Sequence, residues 1–345
     1  MSGARGFATR LLRWHALHGR HTLPWSGQRD PYRVWLAEVM LQQTQVATVI
    51  PYYSRFVSRF PDVRALAAAS QADVLKLWAG LGYYSRARHL HACARRVVNE
   101  RGGEFPHDAF RLAELPGIGR STAAAIAAFC FNERAAILDG NVKRVLARCF
   151  GIAGFPGAPE VEREFWTQAT RLLPPSARMP AYTQALMDLG ATVCTRRAPR
   201  CDQCPLRTSC VARREQRVDE LPTPRPPRTT PQRRTFWLIV FARGRVLLQR
   251  QPDRGLWGGL LAPPQFKSRA ELVAAARRLA PSAQTIAMPE RRHAFTHFTL
   301  RFVPNVLRLS ATIRVDRGSW LPIRQLSIAE LPAPVKRLLL HLTER

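Results

Sequence analysis

Up to about residue 215 the apolar positions recur at every third or fourth residue, in runs spanning Arg33–Ile50, Ser85–Arg101, Ser121–Asn132, Asn141–Phe150, Glu160–Leu173 and Ala181–Val193. That spacing gathers the apolar side chains into one stripe and predicts amphipathic helices. Pro and Gly punctuate the joints, and no alternating strand of any length interrupts the series. The pattern then changes. Leu221–Arg234, LPTPRPPRTTPQRR, is too rich in Pro and Arg for a regular element and reads as a stiff linker. Beyond it, Thr235–Ala242 and Arg245–Arg250 flank Arg243–Gly244 as a hairpin would. Ser268–Leu279 and Ala333–Thr343 read as helices and Ala294–Leu307 as strand, an α+β pattern. A chain of 345 residues is long enough for two cores. The expected division is a helical domain over 1–215, a linker over 216–234 and a smaller α+β domain over 235–345.

Charge narrows the function classes. Lys and Arg number 53 against 24 Asp and Glu, a formal net charge of +29, while the hydrophobic share of 46% is ordinary for a folded chain. Such an excess of cation calls for a polyanionic partner, and nucleic acid is the commonest. No apolar run reaches the roughly 18 to 20 residues of a membrane span, and MSGARGFATRLLRW lacks the apolar stretch of a secretory signal. Of seven cysteines, four fall within Cys194–Cys210, a clustering that suits metal ligation in a reducing compartment better than a disulfide framework. Cys93, Cys130 and Cys149 sit in Ala- and Val-rich helical surroundings, as buried small apolar residues do.

Several short segments carry chemistry. Leu115-Pro-Gly-Ile-Gly-Arg-Ser-Thr122 precedes an Ala-rich helix. Gly117 and Gly119 allow a tight turn whose amides face a phosphate at a helix N-terminus without reading sequence. Cys194-x6-Cys201-x2-Cys204-x5-Cys210 is dense enough for one tetrahedral zinc or an iron–sulfur cluster, and spacing alone leaves both open. Arg196, Arg197 and Arg200 within the first spacer would face DNA phosphate. Glu38 shares a helical face with Val34, Trp35, Leu41 and Gln42. In that company a carboxyl loses solvation and holds its proton toward neutral pH, where it can donate to a purine nitrogen; the alternative, and the commoner case for a glutamate, is a surface residue on an amphipathic helix. Asp139, in Ile137-Leu-Asp-Gly-Asn141, has the position of a helix cap.

LPGIGRST together with the cysteine string resembles the helix-hairpin-helix glycosylases of the endonuclease III superfamily. Glu38-Val-Met-Leu-Gln-Gln-Thr-Gln-Val46 closely resembles the catalytic helix of its MutY-type adenine DNA glycosylases, and the match spans nearly all of residues 10–210. The resemblance implies an all-α helix-hairpin-helix domain with an iron–sulfur loop: a six-helix module over about 30–136, and a cluster module of 1–29 with 137–215. It implies a [4Fe–4S] cluster on Cys194, Cys201, Cys204 and Cys210 and no catalytic metal. Glu38 would protonate adenine N7, Asp139 would stabilise the sugar cation, and Asn141 would orient the sugar or Asp139. Ser121 stands where superfamily lyases carry the Schiff-base Lys. Its hydroxyl cannot form that adduct, so the enzyme is expected to excise the base without an efficient lyase step. Asp188 matches a carboxylate of the adenine pocket, with a plain helix-surface residue as the nearly equal alternative. Gln43 and Tyr83 would wedge into the base stack, with Gln42, Thr44 and Leu81 beside them.

The C-terminal half resembles the Nudix-like domain that reads 8-oxoguanine in this family, through Gly255-Leu-Trp-Gly-Gly259 and Phe295-Thr-His-Phe298. Thr296 stands where the family has Ser, and His297 would join it at the lesion. An active Nudix hydrolase needs clustered carboxylates for Mg²⁺, whereas Asp253, Glu271, Glu290, Asp316, Glu330 and Glu344 are scattered. The expected partner is duplex DNA containing adenine opposite 8-oxoguanine or guanine, bound by a monomer away from membranes, in the cytoplasm if the source is bacterial. An endonuclease III-like lyase and a non-catalytic cluster protein are the rivals. Ser121 and the second domain disfavour the first, and Glu38 with Asp139 the second.

Overall fold

The computed structural model describes residues 2–226, 230–252, 255–282, 284–295 and 298–344, with side chains from residue 6 onward. Thr296 and His297 lie outside the described residues. The helices are α1 (Ser2–His18), α2 (Pro31–Leu41), α3 (Val46–Arg59), α4 (Val63–Ala68), α5 (Gln71–Trp78), α6 (Tyr84–Arg101), α7 (Ala109–Leu112), α8 (Arg120–Phe131), α9 (Gly140–Phe150), α10 (Pro159–Arg171), α11 (Met179–Asp188) and the short α12 (Val211–Arg214). Helix starts follow local chemistry. Asp30 caps α2 through Tyr32 N–H at 3.0 Å with Pro31 in the first turn, and Asp139 caps α9 through Val142 N–H at 2.8 Å. No described helix is long and apolar enough to cross a membrane.

The helix expected over Arg33–Ile50 is in fact two. It breaks after Leu41, where Gln43 takes φ +56 and Thr44 N–H turns back to Leu41 O at 3.2 Å. The run expected over Ala181–Val193 also changes character, leaving α11 at Asp188 for a wide turn over Leu189–Val193.

Tertiary contacts divide the chain into one unit of residues 1–68 and 89–227 and another of 69–88 and 228–345. The first unit has a core in which Phe7 and Leu11 of α1, Ala124 and Ala128 of α8, Val142 and Leu146 of α9, Phe165 of α10 and Tyr182 of α11 are all buried. Trp35 of α2 is buried beside Phe105, ring centroids 5.3 Å apart.

The second unit is built on a mixed sheet of β1 (Gln232–Ala242), β2 (Arg245–Arg250), β3 (Leu261–Ala262), β4 (Gln265–Phe266), β5 (Ile286–Ala287), β6 (Arg291–Ala294), β7 (Thr299–Leu309) and β8 (Ser319–Pro322), in the order β3-β2-β1-β7-β5. The β1–β2 hairpin turns at Arg243 and Gly244, both at positive φ as a twist-matched two-residue turn requires. β1 runs parallel to β7 in register from Gln232↔Thr299 to Ala242↔Leu309. Gln232–Arg234, read from sequence as linker, is therefore strand: Pro231 lies before the ladder, and its carbonyl accepts from Thr299 N–H at 2.9 Å. α13 (Arg269–Leu279), capped by Ser268, packs Leu272 and Ala276 onto Leu238, Val240 and Leu307, and α14 (Ala333–Thr343) closes the chain.

Candidate active site and cysteine centre

Glu38 lies midway along α2 with its side chain toward a cavity of about 290 Å³ in the first unit. Val34, Ala37 and Phe129 form its apolar wall. His15, Arg20, His21, Trp25, Arg29 and Gln184 supply the rest. Burial, and next the charge of Asp139, push the Glu38 carboxyl up to about 8. Asp139 is also raised by burial, but the backbone N–H groups of Val142 and Asn141 and the guanidinium of Arg144 oppose that rise. The two acids therefore occupy unlike environments. Glu38 has only reasons to keep its proton, and Asp139 has donors that favour its anion.

The supporting contacts explain the placement. Ser121 Oγ, in the first turn of α8, accepts from Leu138 N–H at 2.9 Å and so fixes the extended residues that lead into Asp139. Gln42 Nε2 donates to Thr122 Oγ1 at 3.3 Å, which ties the end of α2 to the start of α8. Asn141 Oδ1 accepts from Arg144 Nη2 at 2.9 Å, and the same nitrogen reaches Gly190 O at 2.7 Å. A Cβ on Gly190 would come within 2.6 Å of Asn141 Cβ, so only glycine allows that approach.

Asp188 is fully buried and is not a helix-surface residue. Nor does it line the cavity. It stands behind the wall, taking Arg20 N–H at 2.8 Å, Arg20 Nε at 2.7 Å and Gln184 Nε2 at 2.8 Å, with His15 Nε2 3.5 Å away. Burial alone would raise its carboxyl. The side chain of His15, then the backbone and guanidinium of Arg20, outweigh burial and bring it down to about 2. The cavity-lining residues His15, Arg20, His21, Trp25 and Gln184 were not found from sequence. A residue one helical turn before Asp188 was the available signal for Gln184.

The DNA-facing candidates divide. Gly117 has φ +77, and its α-carbon sits so near His89 that an added Cβ would lie 2.7 Å from His89 Cβ; Gly119 is the N-cap of α8. Gln43 and Tyr83 both adopt positive φ, +56 and +47, and Tyr83 is 48% exposed. Thr44 Oγ1 folds onto Gln42 O at 3.3 Å, and Leu81 is buried.

Cys194, Cys201, Cys204 and Cys210 line one apolar cavity walled by Val145, Leu189, Val193, Pro199 and Val218, with Arg148, Arg207 and Arg213 around it. Arg148, itself buried, donates to Cys194 Sγ at 3.5 Å, Thr195 O at 2.7 Å and Leu221 O at 2.8 Å. Cys210 heads α12, and hydrogen bonding from Cys149, with amides of α12 and the charge of Arg148 assisting, brings its thiol down to about 6. The four cysteines share that cavity, but among the described residues no three His, Cys, Asp or Glu side chains are grouped closely enough to hold a metal ion. Arg196, Arg197 and Arg200 are all exposed, and the guanidinium of Arg200 also donates to Thr192 O.

A glycine turn ahead of α8, Glu38 on one cavity and four cysteines lining another are thus the arrangement of the first unit. The profile of the HhH-GPD superfamily of base excision DNA repair proteins matches residues 36–170, and that of the NUDIX domain matches residues 235–341. An adenine DNA glycosylase of Buchnera aphidicola (from Schizaphis graminum) is 32% identical over 342 residues, covering 96% of this chain and 97% of its own. The adenine DNA glycosylase of Homo sapiens is 47% identical over 223 residues, covering 62% and 40%. Among solved structures, a thermostable thymine-DNA glycosylase aligns with a TM-score of 0.54 at 26% identity, covering 61% of this chain and 97% of that one. The chain belongs to the MutY family of adenine DNA glycosylases, enzymes of base excision repair, with the helical and NUDIX domains in that order.

Proposed function

We propose that this glycosylase removes adenine paired with 8-oxoguanine or guanine and leaves an abasic site without cutting the strand. The carrying observation is the unlike pair of acids, a proton-holding Glu38 on the cavity and an Asp139, close enough to raise it, whose own rise by burial is opposed by backbone amides and the Arg144 guanidinium. With adenine flipped into the cavity, Glu38 gives its proton to N7, the base leaves with the glycosidic electron pair, and Asp139 stabilises the sugar cation. Water, deprotonated with help from Glu38, adds to the sugar carbon. Asn141 orients Asp139 or the sugar. Ser121 is committed to the Leu138 amide and offers no amine for a Schiff base.

Gln43 and Tyr83 act as wedges. Their positive φ and the exposure of Tyr83 support this, with Gln42, Thr44 and Leu81 forming the turns that carry them. Gly117 and Gly119 present amides to phosphate. Cys194, Cys201, Cys204 and Cys210 would hold one [4Fe–4S] cluster, which would order the loop carrying Arg196 and Arg197. The second unit reads the lesion through the loop between Phe295 and Phe298, whose rings stack at 4.7 Å.

The test is a single-turnover incubation with a duplex carrying adenine opposite 8-oxoguanine, assayed for breaks before and after hot alkali. Breaks only after alkali, abolished in Glu38→Gln, are expected. Breaks without alkali would overturn the monofunctional reading, and no release at all would overturn the choice of base.

A further inference from the structure

The segment carrying Tyr83 belongs, by its contacts, to the same unit as the C-terminal sheet. Tyr83 sits immediately before α6, and its carbonyl accepts from Arg86 N–H at 2.8 Å, so the wedge is joined to the first turn of that helix. Tyr84 and Arg88 lie four residues apart, on one face of this turn. Both reach the backbone of the C-terminal domain: Arg88 Nη1 donates to Gly258 O at 2.7 Å, and Tyr84 Oη donates to Leu331 O at 3.3 Å. The two acceptors are themselves braced. Arg250 Nη1 binds Gly259 O at 2.6 Å and Glu330 Oε2 at 2.8 Å, which spans from the 255–259 loop to the residue before Leu331. Trp257, next to Gly258, is buried at φ +57. Its ring stands 5.5 Å from Trp237 and 6.1 Å from Phe295, the residue before Thr296.

We infer that Arg88, assisted by Tyr84, is a positioning residue that couples the base opposite adenine, read next to Phe295, to the setting of the Tyr83 wedge. The physical content is a short run of packed and hydrogen-bonded groups: Phe295 against Trp257, the carbonyl of Gly258, the guanidinium of Arg88, and the helical turn that begins at Tyr83. A base read beside Phe295 is felt at Trp257 through their ring contact, and only a tethered α6 passes the change to the wedge. An arginine in a chain this basic would ordinarily be assigned to phosphate. Here its guanidinium is directed to a peptide carbonyl. The inference rests on the roles proposed above for Tyr83 and for the 295–298 loop.

The experiment compares parent, Arg88→Ala, Tyr84→Phe, Tyr83→Ala and the Arg88→Ala/Tyr83→Ala double variant as cluster-loaded full chains. Single-turnover adenine release is measured on duplexes with 8-oxoguanine and with guanine opposite adenine, over a range of salt. Arg88→Ala is expected to cut the rate ratio between the two duplexes at least fivefold, chiefly by slowing the 8-oxoguanine duplex. Tyr84→Phe, which changes no charge but removes both the donor to Leu331 O and the acceptor of Gly80 N–H at 3.3 Å, is expected to move the ratio in the same direction by about twofold. The double variant is expected to match Tyr83→Ala, because coupled positions are not additive. Equal slowing on both duplexes, or an unchanged ratio, would overturn the coupling. So would a salt slope lowered by about one in Arg88→Ala, the mark of a lost phosphate contact. Should Arg88→Ala fail to fold, an unchanged ratio in Tyr84→Phe overturns the coupling by itself. If Tyr83→Ala releases adenine at the parental rate on both duplexes, the wedge reading falls first and takes the coupling with it.

Discussion

Replacing Glu38 by Gln should make the protein more stable as it becomes inactive, and only above mildly acidic pH. The folded carboxyl titrates at about 8 against an ordinary 4.5, because burial and then Asp139 oppose its charge. The folded chain therefore keeps a proton that the unfolded chain releases across that interval. Stability relative to a neutral isostere falls as pH rises from 4.5 and levels off above 8. At about 1.4 kcal/mol per pH unit the loss reaches about 3.4 kcal/mol by pH 7. Partial opening of the site to the cavity screens the charge and brings the expectation to roughly 1–3 kcal/mol. Gln has the same shape and cannot ionise.

The assay is urea unfolding of the cluster-loaded protein, followed by helical circular dichroism between pH 5 and 8. Near pH 5, Glu38→Gln and parent should agree to within about 1 kcal/mol, the range of an isosteric change in hydrogen bonding. By pH 7.5 the variant should lead. A difference that does not vary with pH, or a variant weaker at pH 7.5, would show that Glu38 ionises in a well-solvated setting. It could then not hold the proton that the proposed chemistry needs at neutral pH.

Asp188→Asn should cost about 2 kcal/mol at pH 7, since it removes the buried anion that Arg20, itself partly exposed, pairs with. The folded value of about 2 lies below the ordinary 3.8, so this stabilisation is present above 3.8 and is lost as pH falls through 2; a loss under 1 kcal/mol in urea at pH 7 would refute the network. Gly117→Ala places a Cβ 2.7 Å from His89 Cβ at φ +77. It should destabilise by about 1–3 kcal/mol and weaken DNA binding equally on matched and mismatched duplexes, as a gel-shift series would show. Ser121→Lys should gain an adduct trapped by borohydride while forfeiting the acceptor for Leu138 N–H, a cost of about 1 kcal/mol; failure to trap would mean that the position does not face the sugar.

The contrast between Glu38 and the cavity around it shows what a sequence can carry. The apolar neighbours of Glu38 at helical spacing indicated a desolvated acid, but that pattern alone left a surface glutamate the commoner reading, and the resemblance of the whole Glu38–Val46 string singled the residue out. Asp139 was legible from its own surroundings only as a helix cap, and its chemical role came from the same resemblance. The same periodicity could not find the cavity wall. Arg20 and Asp188 meet across 168 positions, and the 11-residue parallel register of β1 with β7 joins segments separated by the whole of α13. Neither leaves a mark within any local window. The break at Gln43 was invisible for another reason. Gln-Gln-Thr-Gln contains neither Pro nor Gly, so propensity favours continuing the helix, and only tertiary contacts such as Gln42 with Thr122 stabilise a left-handed residue there. Gln43 and Tyr83, both proposed to enter the DNA stack, are non-glycine residues at positive φ, a conformation that costs about 1–2 kcal/mol per residue. Helix-forming preference would set those side chains along a cylinder. Holding them in the left-handed region turns them out of it, so the strain that hid the Gln43 turn from sequence is what lets that side chain project, whereas Gly80 and Gly82 marked the Tyr83 loop in advance.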